Sequence, residues 1–256
     1  MIIINSDDLG RSAEINQAIL GSFKDGYCSS ATIMPTMPGF EEACSLVHEN
    51  KLLKNIGLHL TLRDGYPLAE SMKKFPAFCN SNGMLSNVTV RSPLFLSADE
   101  KGALAEEIRA QIARCRAFGL PLTHLDSHYH THTNLAIAGV VISIAVEQGI
   151  PHVRLTRNCG RDVRFIKRGL KALFNQRLKA RKLAGTDYFG SIGDFLYLTR
   201  SGGTLPSQKS MEIMVHPVLG ANGRIVDRGS EQSIAELVGQ IGSYKQAVSY
   251  AFAHPA

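Results

Sequence analysis

Acidic and imidazole side chains gather at the ends of short apolar runs in this sequence. Asp7-Asp8 follow Met1–Asn5, and His59 lies within Ile56–Leu62. Four of the nine histidines fall between His124 and His132, and His216 follows Glu212–Val215. Two adjacent carboxylates repel unless something positive stands beside them. On one reading Asp8 or Ser12 caps the following helix. On another the pair divides its labour, one carboxylate holding a cation and the other accepting a proton from water. Gly10 permits a sharp turn in either case. His124, Asp126 and His128 share one face at period two, as do His130 and His132 if extension continues. Such an Asp/His mixture suits a divalent metal. A catalytic site would use three protein ligands and keep a position for water, while Asp126 could orient a ligand imidazole from behind. A His-rich strip is equally compatible with a surface patch, and a lone His59 with a hydrogen-bonded core residue. His216-Pro217 closes a run with no acid nearby, and proline fixes the chain just after the imidazole. As the fifth polar group at a run's carboxyl end, His216 reads as a catalytic acid.

These groups meet only if the elements bring them together. Candidate strands are Met1–Asn5, Cys28–Met34, Ile56–Leu62, Leu122–Ser127, Val153–Thr156, Glu212–His216 and Val248–Ala253. Helical patterns lie between them: one after Ser12, one opening at the capping box Ser97-Ala98-Asp99-Glu100, and others over 134–147, 162–183 and 230–241. About seven strands, each followed by a helix, predict an α/β fold with parallel pairing, as a barrel or as an open doubly wound sheet. In either, the strands' carboxyl ends open on one side, where ligands bind. Two irregular stretches, 64–93 and 185–208, interrupt the alternation. Neither reads as a linker, so the chain is expected to be one domain over 1–256 with two insertions.

Composition narrows the class. A 256-residue chain that is 44% hydrophobic and 20% charged can bury a full core, which excludes a disordered chain. No apolar run reaches the ~18 residues of a membrane span, and Met1–Asn5 lacks a signal peptide's basic start, so a cytoplasmic location is expected. Five scattered cysteines without a C-x-x-C argue against a disulfide framework or thiolate zinc knot. The formal charge of +6 is uneven. Arg154 to Lys182 is strongly basic, with Ile166, Leu170, Leu173, Phe174 and Leu178 at helical spacing, so the helix is a solvated cationic face or a polyanion surface. No interleaved aromatics, zinc finger or RNP motif accompany it, so no specific nucleic acid is expected. Nucleophile-elbow, P-loop and dinucleotide fingerprints are absent, which removes support for serine hydrolysis, nucleotide phosphoryl transfer and hydride transfer.

Four segments together resemble the YdjC-like carbohydrate deacetylases, a family that includes the chitooligosaccharide deacetylases. They are Ile4-Asn5-Ser6-Asp7-Asp8-Leu9-Gly10, Ile56–Leu62 with Gly65-Tyr66-Pro67-Leu68, Thr123–His132 with its Asp126-Ser127-His128-Tyr129-His130 core, and Glu212–Pro217. The resemblance implies a distorted, TIM-barrel-like (β/α) barrel and one divalent metal ion, Mg2+ or Zn2+, on Asp8, His59 and His128. It also implies Asp7 as base, His216 as acid, and an acetylated sugar or oligosaccharide as substrate. Asp126, His124, His130, His132, Tyr66 and Arg154 are expected around this centre or against the substrate. Tyr66, Phe75 and Phe78 of the first insertion could stack on sugar rings or pack as a surface loop. The chain departs from the family at Arg154-Leu155-Thr156-Arg157-Asn158, where an Arg-x-Pro-Arg-Glu-like segment is usual, and at Leu9, usually Phe. Alternatives from other classes are a different metal-dependent amidase or phosphoesterase on the same scaffold, and a non-catalytic polyanion-binding protein using the basic helix. A homodimer is compatible with the sequence.

Overall fold

The computed structural model describes residues 1–86, 95–159, 165–200, 209–230, 232–242 and 250. Its centre is strand β1 (Ile2–Leu9), buried along its whole length. The β-branched run Ile2-Ile3-Ile4 suits a strand covered on both faces. Strand β1 pairs in parallel with β2 (Ser30–Ile33) on one side and with β6 (Met211–Val215) on the other. Parallel pairing continues outward to β3 (Ile56–Leu60) and β4 (Leu125–Ser127) at one edge, and to β5 (Tyr188–Gly190) at the other. The order is β4-β3-β2-β1-β6-β5.

This six-stranded sheet curls into a half-barrel. Arg154 donates its backbone N–H to Leu125 O on β4 (2.9 Å), yet its guanidinium reaches Glu212 on β6 at 2.6 Å. Four strand spacings separate β4 from β6 in a flat sheet, roughly 19 Å. No arginine spans that distance, so the two edges must bend toward each other. The α/β class and parallel pairing agree with the sequence reading, but two expected strands differ. Val153–Thr156 contributes single parallel bridges from Val153 to Leu125 and to Ala184 rather than a strand. Of Val248–Ala253, only Tyr250 lies within the described residues.

Helices α1 (Ala13–Lys24), α2 (Phe40–Glu49), α3 (Ala98–Ala117) and α4 (Leu135–Glu147) follow β1 to β4. Ile33, Leu58, Leu104, Ile108, Ile112, Val141 and Ala145 join one buried cluster there. The capping box at the head of α3 forms in both directions, Ser97 Oγ accepting from Glu100 N and Glu100 Oε2 from Ser97 N. A second cluster, containing Ile2, Ile4, Phe195, Ile213 and Ile234, packs β1 and β6 against α6 (Ile192–Arg200) and α7 (Ile234–Gly239). An antiparallel pair, β7 (Pro217–Leu219) and β8 (Ile225–Asp227), follows β6.

The stretch 185–208, expected to be irregular, carries β5 and α6. The described part of the first insertion holds a short 3-10 turn, Glu70–Lys74, and a Cys79–Leu85 bridge. The basic helix forms as α5 (Phe165–Ala180). Phe174 and Leu178 are buried, but Leu170 and Leu173 are 44% and 42% exposed, so the apolar stripe is narrower than the spacing implied. Ile166 lies outside the described side chains.

Candidate active site

The two carboxylates of β1 come first. Successive strand residues point to opposite faces, so Asp7 and Asp8 should diverge. They lie at the carboxyl end of β1, as the sequence suggested, where the strand runs on to Leu9 with an irregular register between Ser6 and Leu9. Asp8 has φ 73°, a left-handed conformation that short polar residues tolerate best. This bulge re-aims the backbone, and both carboxylates line one cleft of about 450 Å3 with His59, His128, His130 and His216. The cleft lies at the carboxyl ends of β1, β3, β4 and β6.

Asp8 is the meeting point. Its Oδ1 is 3.3 Å from His59 Nε2 and 3.0 Å from His128 Nδ1, and the three ligand atoms lie within 4.8 Å of one another. That oxygen is buried, and neither ring nitrogen meets it in hydrogen-bond geometry. Three lone-pair donors crowd one point without satisfying each other, which fits a divalent cation. His59 is set from behind: its Nδ1 lies 2.7 Å from Asp126 Oδ1 and 3.1 Å from Thr32 Oγ1, which turns Nε2 toward Asp8. Burial pulls the His59 pKa down, but Asp126, Asp8 and Asp7 outweigh it and lift it to about 10. Without a metal, His59 therefore holds a proton between two carboxylates. A second group, Asp7, His59 and Asp126, is also close enough to hold an ion. Its two carboxylates already share the Arg154 guanidinium, which makes the Asp8 group the better cation site.

Asp7 is gripped by Arg154. Nη2 donates to Oδ1 at 2.7 Å and Nη1 to Oδ2 at 2.8 Å, and Asn5 adds a third hydrogen bond. Burial alone would raise the Asp7 pKa; the guanidinium outweighs it and holds the carboxyl far below the usual range. Arg154 is itself fully buried, contacting Asp126 at 2.6 Å and Glu212 at 2.6 Å. It belongs to this network and not to the exposed basic surface. Tyr250 donates its hydroxyl to Glu212. Across the cleft, His216 Nε2 is 3.9 Å from Asp7 Oδ2. Its backbone N–H donates to Asp227 Oδ1 at 2.7 Å, and its Nδ1 is 3.8 Å from the same oxygen. Burial lowers the His216 pKa, but Asp227 and Asp7 more than offset this, and the net direction is up.

The other expected site residues divide. His130 lines the cleft, with a buried Nδ1 that has no hydrogen-bond partner. Burial, then Arg154, pushes its pKa down to about 3, so it is neutral. The extension expected through His132 ends at Ser127. His128–Thr133 is a 3-10 turn with Tyr129 and His130 at positive φ, so His130 and His132 do not continue one strand face. His132 turns inward to Ser127 Oγ (2.6 Å), and His124 is buried against Asn5 and the Tyr250 ring. Neither lines the cleft. Tyr66 is 54% exposed, and Phe78 is fully buried in the core, which removes Phe78 from any sugar-stacking role. Three residues that contact Asp8 or His128 escaped the sequence reading. Arg228 donates to Asp8 Oδ2 at 2.5 Å, Arg11 lies 3.2 Å from His128 Nε2, and Asp64 lies 3.2 Å from that same nitrogen. Nothing local in the sequence marks Arg228 or Asp64; Arg11, three residues after Asp8, was the one within reach of the motif.

A family described as YdjC-like protein matches residues 1–252. The carbohydrate deacetylase of Brevibacillus brevis is 35% identical over 150 residues, 59% of this chain and 57% of that protein. The carbohydrate deacetylase of Geobacillus stearothermophilus is 36% identical over 149 residues, again 57% of its length, so these matches span under two thirds of either relative. The chitooligosaccharide deacetylase of Serratia marcescens is 32% identical over 232 residues, 85% of this chain and 81% of that protein. Among solved structures, a protein of Enterococcus faecalis V583, described as proposed to cleave cellobiose-phosphate, superposes with a TM-score of 0.66. It is 22% identical and covers 86% of this chain and 82% of its own, a likeness of fold. Among the described residues no helix is long and apolar enough to cross a membrane.

Proposed function

The chain belongs to the YdjC-like protein family, and from that premise we propose that it is a metal-dependent carbohydrate deacetylase, hydrolysing an N-acetyl group on a sugar and releasing acetate. The observation that carries this reading is the convergence of Asp8 Oδ1, His59 Nε2 and His128 Nδ1 beside Asp7 and opposite His216. The three residues would hold a divalent ion such as Mg2+ or Zn2+. When bound, such an ion polarises the amide carbonyl and acidifies a water.

The chain's own groups do the rest. Asp7, kept ionised by Arg154, accepts the water proton at a carboxylate oxygen. The same grip makes Asp7 a weak base, so taking a proton from a water of pKa ~7 is uphill. His216, whose pKa is raised, which favours its protonated form, delivers a proton to the departing amine nitrogen. Asp227 fixes the imidazole, and Asp126 fixes His59. His130 offers a neutral ring at the cleft wall. We take the Val153 bridges as the seam that extends the half-barrel toward a seven-stranded, TIM-like barrel forming a single domain.

The test is acetate release from N-acetylglucosamine oligomers with Mg2+ or Zn2+ added to chelator-treated protein. Turnover that depends on the ion, and that falls about 10²–10⁴-fold in Asp7→Asn while ion binding persists, is the expected result. No acetate from any acetylated glycan with either ion defeats the reading.

A further inference from the structure

His59 and His128 each present one ring nitrogen to Asp8 Oδ1. To offer a lone pair there, each ring must carry its proton on the other nitrogen. For His59 that far nitrogen is Nδ1, which faces Asp126. For His128 it is Nε2, and two neighbours of opposite kind lie 3.2 Å from it, Asp64 Oδ2 and Arg11 Nη1. They favour different tautomers. A guanidinium has only N–H donors, so toward Arg11 the nitrogen must be bare, and the proton then sits on Nδ1, facing Asp8. A carboxylate only accepts, so toward Asp64 the nitrogen keeps its proton and Nδ1 is free.

The loop that carries Asp64 is anchored from α3 at both ends. Gln111 donates to Thr61 O at 2.7 Å and accepts from Thr61 N at 2.9 Å, and Glu107 Oε2 accepts from Ala69 N at 2.7 Å. Both anchoring side chains are fully buried. Between the anchors, Arg63 Cζ lies 3.8 Å from the centre of the Tyr129 ring. Adjacent loop residues thus touch adjacent residues of the His128–Thr133 turn, Arg63 on Tyr129 and Asp64 on His128. Asp64 has φ 69°, a backbone that glycine would adopt more easily, so the carboxylate is what this position adds. Its contact with Arg11 Nη2 is longer, at 4.0 Å.

We infer that Asp64 is a positioning residue for His128, accepting a hydrogen bond from Nε2–H and turning the Nδ1 lone pair toward Asp8, as Asp126 does for His59 from the other side. It thereby sets how tightly Asp8, His59 and His128 hold a divalent ion, and the first insertion completes a site otherwise built from strand ends. The inference rests on the reading of these three residues as ion ligands.

Two variants separate a lost hydrogen bond from a lost charge. Asp64→Gly removes the side chain from a backbone that glycine adopts without strain. Asp64→Asn also tolerates that backbone and keeps a carbonyl oxygen able to accept from Nε2–H, but not the charge. Zn2+ alone is titrated into chelator-treated protein and followed by calorimetry, with no substrate present. Asp64→Gly should bind the ion about 10–100-fold more weakly than the wild type. Asp64→Asn should bind it about threefold or more tighter than Asp64→Gly, the worth of one retained hydrogen bond. Equal losses in the two variants overturn the positioning role, because a missing charge alone would weaken both alike. Unchanged binding in Asp64→Gly overturns it too and leaves the ion site standing. A wild type that binds no Zn2+ defeats the ion site itself, and the role of Asp64 with it.

Discussion

At the scale of single residues, the cleft holds its charges in advance of any ligand. His59 has its pKa lifted to about 10 by Asp126 and Asp8, so near neutral pH it is protonated and a cation must displace that proton. Ion binding should release about one proton per site and tighten as pH rises. Calorimetry in two buffers of different ionisation enthalpy measures this, and Asp8→Asn should abolish the signal. Asn suits position 8 because it tolerates the left-handed backbone as Asp does. His216 has the opposite duty. An acid must be protonated to work, so turnover falls as pH rises through its pKa, which Asp227 and Asp7 push above the ordinary ~6.5. Asp227→Asn removes part of that support, and the alkaline limb of the kcat profile should move to lower pH while the acid limb stays.

Elements decide which residues reach the cleft, and here the sequence was legible in part. His59 and Asp126 could be placed because each lies on an apolar strand whose alternation sets its face, and they are register partners on β3 and β4. The turn at Tyr129-His130 was hidden, since positive φ at non-glycine residues leaves no mark in the residue types. Strand β5 is three residues long, too short for a periodic signal, and among the described residues it is defined by its pairing with β6. The partners of Arg154 on β1 and β6 were hidden for the same reason: curl is a property of the whole sheet. The start of α3 shows the contrasting case, a boundary written locally. Ser97→Ala removes the hydroxyl that caps Glu100 N and should cost about 1 kcal/mol. Urea unfolding at fixed pH measures that loss, and activity should be unchanged because the cap lies outside the cleft.

For the molecule as a whole, Arg154 joins parts of the fold that the chain keeps far apart. Its guanidinium answers three buried carboxylates, from Asp7, Asp126 and Glu212. Arg154→Ala leaves them without a cation and should destabilise the protein by about 3–5 kcal/mol, read from the shift in the denaturation midpoint. The order of these partners along the chain has a further consequence during synthesis. Asp7, Asp126 and Arg154 emerge from the ribosome long before Glu212 and Tyr250. A nascent polypeptide halted short of residue 211 lacks β6, and with it the anion and the phenol that complete the guanidinium's surroundings. An N-terminal fragment ending before residue 211 would carry every candidate metal ligand yet lack these partners, and is expected to release no acetate.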